Sequence, residues 1–222
     1  MVVLAARRAG VTGKQVIVAT SDDPSDDYLA NILHSYGLSI FRGDLRDVLS
    51  RFVRALNGFA DDTIVFRLTA DNVVPDGHIL DEIEKDFLQR GVEYLVCNGA
   101  KCGLPYGLSV EVTRLKHIRN SYQKARSCEE LEHVTLNIKE QFGAPQFEKY
   151  RDLDLGNYRC TVDSLDDYLL IAKLFELAED PITESALVLV QKLVSVSPLQ
   201  VIRKPAERLV FGSAQLGSDY GI

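Results

Sequence analysis

The chain has 222 residues, 46% hydrophobic and 26% charged, enough for one compact domain with a real core and a short appendage. No apolar run approaches the roughly 20 residues of a membrane helix, and the opening stretch meets Arg7 and Arg8 too soon for a secretory signal, so no membrane contact and a cytoplasmic location are expected. A net charge of −7, with basic residues scattered rather than gathered in a stripe, argues against a nucleic-acid partner. It leaves a nucleoside triphosphate possible, because a divalent cation can bridge carboxylates to phosphates.

Short β-rich runs alternate with amphipathic helical stretches, which predicts an α/β fold of three layers around a mostly parallel sheet. Val2 to Arg8 reads as a helix, and Gln15 to Thr20 as a strand that ends in the turn cluster Ser21 to Ser25. The next helix carries Tyr28, Leu29, Ile32, Leu33 and Tyr36 on one face and stops at Gly37. Leu38 to Phe41 is a second short strand. Asp44 and Asp47 stand as N-cap and N3 acid ahead of Val48, Leu49, Phe52, Val53 and Leu56.

Thr63 to Thr69 is the next strand, Asp76 caps a helix carrying Ile79, Leu80, Ile83, Phe87 and Leu88, and Val92 to Cys97 is a strand. Leu108, Val110 and Val112 alternate with Ser109 and Glu111, so those two share the opposite face of a half-buried strand. Helical patterns cover Arg114 to Ala125 and Glu129 to Phe142. Tyr158 to Val162 reads as a strand delivering Asp163, Ser164 and Asp167 cap a helix to Leu177, and a last helix spans Thr183 to Val194. Gly10 to Lys14 is no phosphate loop, since its spacing is too short and a strand follows. Cys97, Cys102, Cys128 and Cys160 contain no C-x-x-C pair and are expected to be thiols.

The informative stretch is Arg67-Leu68-Thr69-Ala70-Asp71-Asn72, at the carboxyl end of a strand, where α/β sheets place ligands. Asp163 is a second strand-end acid, and Mg²⁺ at a phosphoryl-transfer site is held by one or two carboxylates plus phosphate oxygens and waters. Each acid also has a plain structural role open to it: an Asx-turn for Asp71 and Asn72, a turn or cap for Asp163.

Six segments in order resemble the cytidylyltransferase family that makes CMP-activated acidic sugars, most closely its spore-coat-polysaccharide branch. They are Val16 to Asp22, Phe41-Arg42-Gly43 with Asp47-Val48-Leu49, Arg67 to Asn72, Tyr106 to Val112, Glu132-His133-Val134-Thr135, and Thr161-Val162-Asp163 with Asp166-Asp167. The resemblance implies a Rossmann-like nucleotide-diphospho-sugar transferase fold, a homodimer, and attack of a sugar hydroxyl on the α-phosphate of CTP. It assigns Mg²⁺ to Asp71 and Asp163, and the nucleotide or sugar to Ser21, Asn72, Tyr106, Glu111, Glu132 and His133. Two departures stand out. Nothing in Met1 to Lys14 matches the family's opening strand and its Gly- and Arg-containing loop, so the sheet is expected to lack its usual first strand. Leu131 replaces a frequent family Arg, for which Arg126 is a substitute.

Arg208 to Ile222 is similar to the opening strand of an aldo/keto reductase barrel, which sets a boundary between residues 1–197 and a short appendage, 198–222. Two alternatives to an active transferase therefore stay open: an inactive remnant or partner-binding module of a longer bifunctional enzyme, and an oxidoreductase fragment.

Overall fold

The computed structural model describes residues 1–98 and 101–197, so the reductase-like segment lies outside the described residues. In chain order the elements are α1 (Val2–Ala9), β1 (Ile17–Ser21), α2 (Asp27–Ser35), β2 (Ser39–Gly43), α3 (Val48–Ala55), β3 (Ile64–Arg67), α4 (Gly77–Arg90) and β4 (Tyr94–Cys97). There follow β5 (Val110–Arg114), α5 (Leu115–Lys124), α6 (Cys128–Glu132), α7 (Leu136–Phe142), α8 (Leu165–Glu176) and α9 (Ala186–Val196).

Strand alternation sorts the helices into two layers. On one face of the β3, β4 and β5 strands Leu95, Cys97, Val110 and Val112 meet Ile83 and Phe87 of α4, Leu174 of α8 and Leu189 of α9. On the other face Val65, Tyr94 and Val96 meet Leu49 of α3, Ile118 of α5 and Ile138 of α7. The three-layer α/β architecture follows directly from this period of two.

The strands form two ladders among the described residues. β1 and β2 pair in parallel, whereas β5 lies antiparallel between β3 and β4, which therefore run parallel to each other. Between the edges of β1 and β3 runs a slot of about 570 Å³, closed on one side by α1 and on the other by α3.

Arg8 pins α1 from below, fully buried, with Nε donating to the Pro75 carbonyl at 3.0 Å and Nη1 to the Pro181 carbonyl at 2.7 Å. Burial pulls its pKa down, opposed by the charges of Asp76 and Glu184. Asp76 ties two helices together: Oδ1 accepts from His78 N at the start of α4, and Oδ2 from Ala186 N at the start of α9, at 2.8 and 2.6 Å.

Several expectations are corrected. Asp47, not Asp44, caps α3, accepting from Ser50 N at 2.8 Å, because Asp44 is spent on a turn with the amides of Arg46 and Asp47. On α2 Ala30 and Leu33 point inward and Tyr28 is 77% exposed, and on α4 Leu88 is exposed rather than part of the buried face. The helix expected over 129–142 breaks at Val134, whose left-handed φ of 43° is costly for a β-branched residue but buries its side chain beside Ile138. Tyr158 to Val162 is held by isolated bridges rather than as a strand.

Candidate functional site

The carboxyl end of β3 turns at Thr69, where Asn72 N donates to the Thr69 carbonyl at 3.1 Å and Asn72 Nδ2 to Thr69 Oγ1 at 2.7 Å. Asn72 is thereby buried and committed to the turn. The same turn pairs with the segment before α8: Asn72 and Thr161 form an antiparallel bridge, and Val162 N donates to the Asp71 carbonyl at 3.0 Å. Two acids 92 positions apart in the chain, Asp71 and Asp163, thus flank one backbone bridge.

Tyr106 joins them from a third segment. Its N donates to the Tyr158 carbonyl at 2.9 Å and its carbonyl accepts from Cys160 N at 2.7 Å. Gly107 makes this approach possible: its φ is +108°, and a Cβ there would lie 2.8 Å from the Cys160 carbonyl carbon. Arg159 stacks over the Tyr106 ring at 5.6 Å and pairs with Asp163. That pair is about half exposed, so its attraction is weak enough for Asp163 to exchange partners. Ser164, rather than Asp163, is the N-cap of α8, with Asp167 completing the capping box. Asp163 is therefore not consumed as a cap.

Glu111 occupies a second position, on the α5 and α7 face. It sits directly across the ladder from Arg67, whose Nη1 reaches Glu111 Oε2 at 2.5 Å. Tyr94 donates its hydroxyl to the same carboxylate, Thr135 Oγ1 donates at 2.9 Å and Lys139 Nζ lies at 3.4 Å. Burial opposes the charge on Glu111, but the positive charge of Arg67 and the hydroxyl donors outweigh it and hold its pKa below the ordinary value. Burial, then the Glu111 charge, pushes the Tyr94 hydroxyl well up. Glu111 is thus an anchor: it fixes Arg67, Thr135 and Lys139 rather than facing solvent.

Glu132 and His133 are exposed at the end of α6, one turn before Thr135. Ser21 is buried on the β1–β2 ladder, its hydroxyl donating to Asp26 at 2.6 Å, beside the Thr20 hydroxyl at 2.7 Å on the same oxygen. Arg126 donates to the carbonyls of Gln123 and Ala125, closing the end of α5. The structure thus gathers Asp71, Asn72, Tyr106 and Asp163, links Glu111 to the Glu132–Thr135 segment, and leaves Ser21 on the other ladder.

No protein-family model matches the chain. It is 29% identical to the spore coat polysaccharide biosynthesis protein SpsF of Bacillus subtilis, over 73% of this chain and 68% of that protein. It is 30% identical to an uncharacterized protein of Methanocaldococcus jannaschii, over 72% of this chain and 65% of the relative. The chain therefore spans about two thirds of the length of these relatives. Its fold superposes on a cytidylyltransferase from Leptospira borgpetersenii with a TM-score of 0.77 and 24% identity, covering 87% of this chain and 82% of the other. The fold that the resemblance implies is borne out by this superposition.

Sequence reasoning missed the cations. Arg67 lies inside one of the six segments, and only the β3–β5 pairing, which strand patterning does not specify, places it opposite Glu111. Lys139 follows Thr135 by one helical turn and Arg159 precedes Asp163 by four residues. Both spacings were readable; their partners were not.

Proposed function

We propose that this chain is a Mg²⁺-dependent nucleotidyltransferase domain that forms a CMP-sugar and pyrophosphate from CTP and an acidic sugar, as a homodimer, in surface polysaccharide assembly. The observation that carries this reading is the bridge of Asn72 to Thr161, which brings the backbone of Asp71 against Val162, the residue before Asp163. The B. subtilis relative, a spore coat polysaccharide biosynthesis protein, and the fold shared with the Leptospira cytidylyltransferase support it.

Two oxygen donors on neighbouring backbone fit Mg²⁺, which takes one or two carboxylates and fills its octahedron with phosphate oxygens and water. Among the described residues no group of three or more His, Cys, Asp and Glu is gathered into a cage, so the pair is the appropriate candidate rather than a closed site. Bound there, the ion would neutralise charge at the α-phosphate. Asp71 and Asp163 would hold it, with Arg159 released to the triphosphate. Arg67 and Lys139, fixed by Glu111, would present cations to the acidic sugar or a phosphate. In the transfer the sugar hydroxyl gives up its proton to water, its oxygen bonds to the α-phosphorus, the bond from that phosphorus to the bridging oxygen of the β-phosphate breaks, and pyrophosphate departs with that oxygen.

The test is pyrophosphate release from CTP with a panel of acidic sugars. Turnover with Mg²⁺, lost by at least about a hundredfold in Asp71→Asn and Asp163→Asn, supports the reading. Turnover unchanged in both variants, or no turnover with any sugar, overturns it. A second reading, a partner-binding module, is favoured by the slot between β1 and β3.

A further inference from the structure

Helix α8 is apolar on two sides. Ile171, Leu174 and Phe175 point inward and belong to the core shared with β4 and β5. Leu165, Tyr168 and Leu169 lie on the outward side and are 71%, 46% and 56% exposed. Spacings of three and four residues gather these three into one stripe on the surface. A helix that is apolar all round is normally covered all round. Each such side chain left in water forgoes most of the about 1.5–3 kcal/mol that full burial contributes.

The charges beside the stripe say what covers it. Asp166 and Lys173 stand seven residues apart, two turns of helix, so they share one flank of α8. Both are exposed, and among the described residues neither enters an ion pair. The neighbouring Asp167, by contrast, is taken up by the capping box and by Arg159. In an antiparallel pair of identical helices related by a two-fold axis, positions equally far either side of the centre face each other. With the axis between Leu169 and Leu170, Asp166 of each copy meets Lys173 of the other. The same register sets the Tyr168 ring against Ala172, large against small, and closes Leu169 against its own symmetry mate. A parallel pair would set Asp166 against Asp166 and Lys173 against Lys173, so the charges choose the antiparallel arrangement.

We propose that α8 is the contact surface of a homodimer, packed antiparallel against α8 of a second copy through Leu165, Tyr168 and Leu169, with Asp166 and Lys173 paired across the axis. The contact is small. One helix pair falls short of the roughly 1,600 Å² of a standard interface, so the dimer is expected to dissociate on dilution. This inference rests on the homodimer of the functional reading and gives it a surface, but it involves no nucleotide chemistry. Loss of turnover therefore leaves it untouched, and loss of the contact leaves the transferase reading untouched.

Sedimentation velocity of the full chain from about 1 to 200 μM, without CTP or sugar, is the test. The parent chain is expected to pass from monomer to dimer over this range. Leu169→Asp, which sets two carboxylates against each other at the axis, is expected to stay monomeric throughout, with its helix content by circular dichroism unchanged. Asp166→Lys and Lys173→Glu each turn two attractions into two repulsions at exposed positions. Each is expected to weaken the dimer by about tenfold at low salt, and by less at high salt. An equimolar mixture of these two variants has complementary charges again and should recover the parent's affinity. A dimer indifferent to all three variants overturns the proposed surface while the dimer of the functional reading stands. A parent chain that is monomeric throughout overturns both. A mixture that associates no better than either variant alone overturns the antiparallel pairing, and with it the proposal.

Discussion

The β3–β5–β4 ladder and the β1–β2 ladder are built from similar apolar residues and end in different states. Tyr94 to Cys97 lie between α-helical layers with β5 alongside, and all four are buried, whereas Ile17 to Ala19 face the slot and stay half-buried. Composition makes both strands; neighbours decide which becomes core. Burial is therefore a property of the pairing, and strand sequence alone does not report it.

The largest effect is expected where the ladder is complete. Leu95 is fully buried, opposite Val112 and within the cluster that holds Ile83 and Phe87. Leu95→Ala is expected to cost about 2–5 kcal/mol, through lost transfer energy and the cavity left behind. Urea unfolding checks it, as a lower midpoint at constant slope. A cost below about 1 kcal/mol would break the comparison, because it would make the complete ladder as yielding as the open one.

Asp76 comes next, since one carboxylate serves two helix starts on the closed side. Asp76→Ala strands two amides, one of them in the core, and about 2–3 kcal/mol of stability is expected to go. Calorimetry would record it as a lower Tm.

Much of this was legible in the sequence. The strands β1 to β5, the Asp76 cap and the Ser164–Asp167 capping box follow from local chemistry and formed where read, whereas Tyr158 to Val162 did not become a strand. The Asp71–Asp163 approach could be expected only through the family resemblance, because it depends on the Asn72 to Thr161 bridge across distant segments. The fate of Glu111 was not legible: alternation places it on the face away from Val110 and Val112, but not under Arg67, Tyr94 and Thr135. Ser21 shows the same limit, since its buffering by Asp26 rests on a turn whose closure the turn residues alone do not specify. Arg8, a cation in a short helix, gave no sign that it would be buried.

Glu111 sharpens the comparison through pH. Its folded-state pKa lies below the ordinary value of 4.5, so near that pH the unfolded chain binds more protons than the folded one, and stability rises with pH. The contribution is complete above pH 4.5 and is lost as pH falls through the depressed folded value. Glu111→Gln is expected to cost about 1–2 kcal/mol at neutral pH, with the difference from the parent chain shrinking in acid. Thermal melts across pH 3 to 7 would show it, roughly speaking, as converging curves. Parallel curves would mean that the carboxylate's charge contributes nothing to the closed ladder.

The smallest effect is expected on the open side. Val18 lines the slot and is half-buried, so Val18→Ala removes two methyls that are already partly hydrated, and the neighbouring space is not newly created by the change. At about 0.8 kcal/mol for a fully buried methylene, a half-covered valine beside an open slot should lose less than about 1 kcal/mol. Urea unfolding measures it, and a cost above about 2 kcal/mol would place Val18 in closed core rather than beside an open slot.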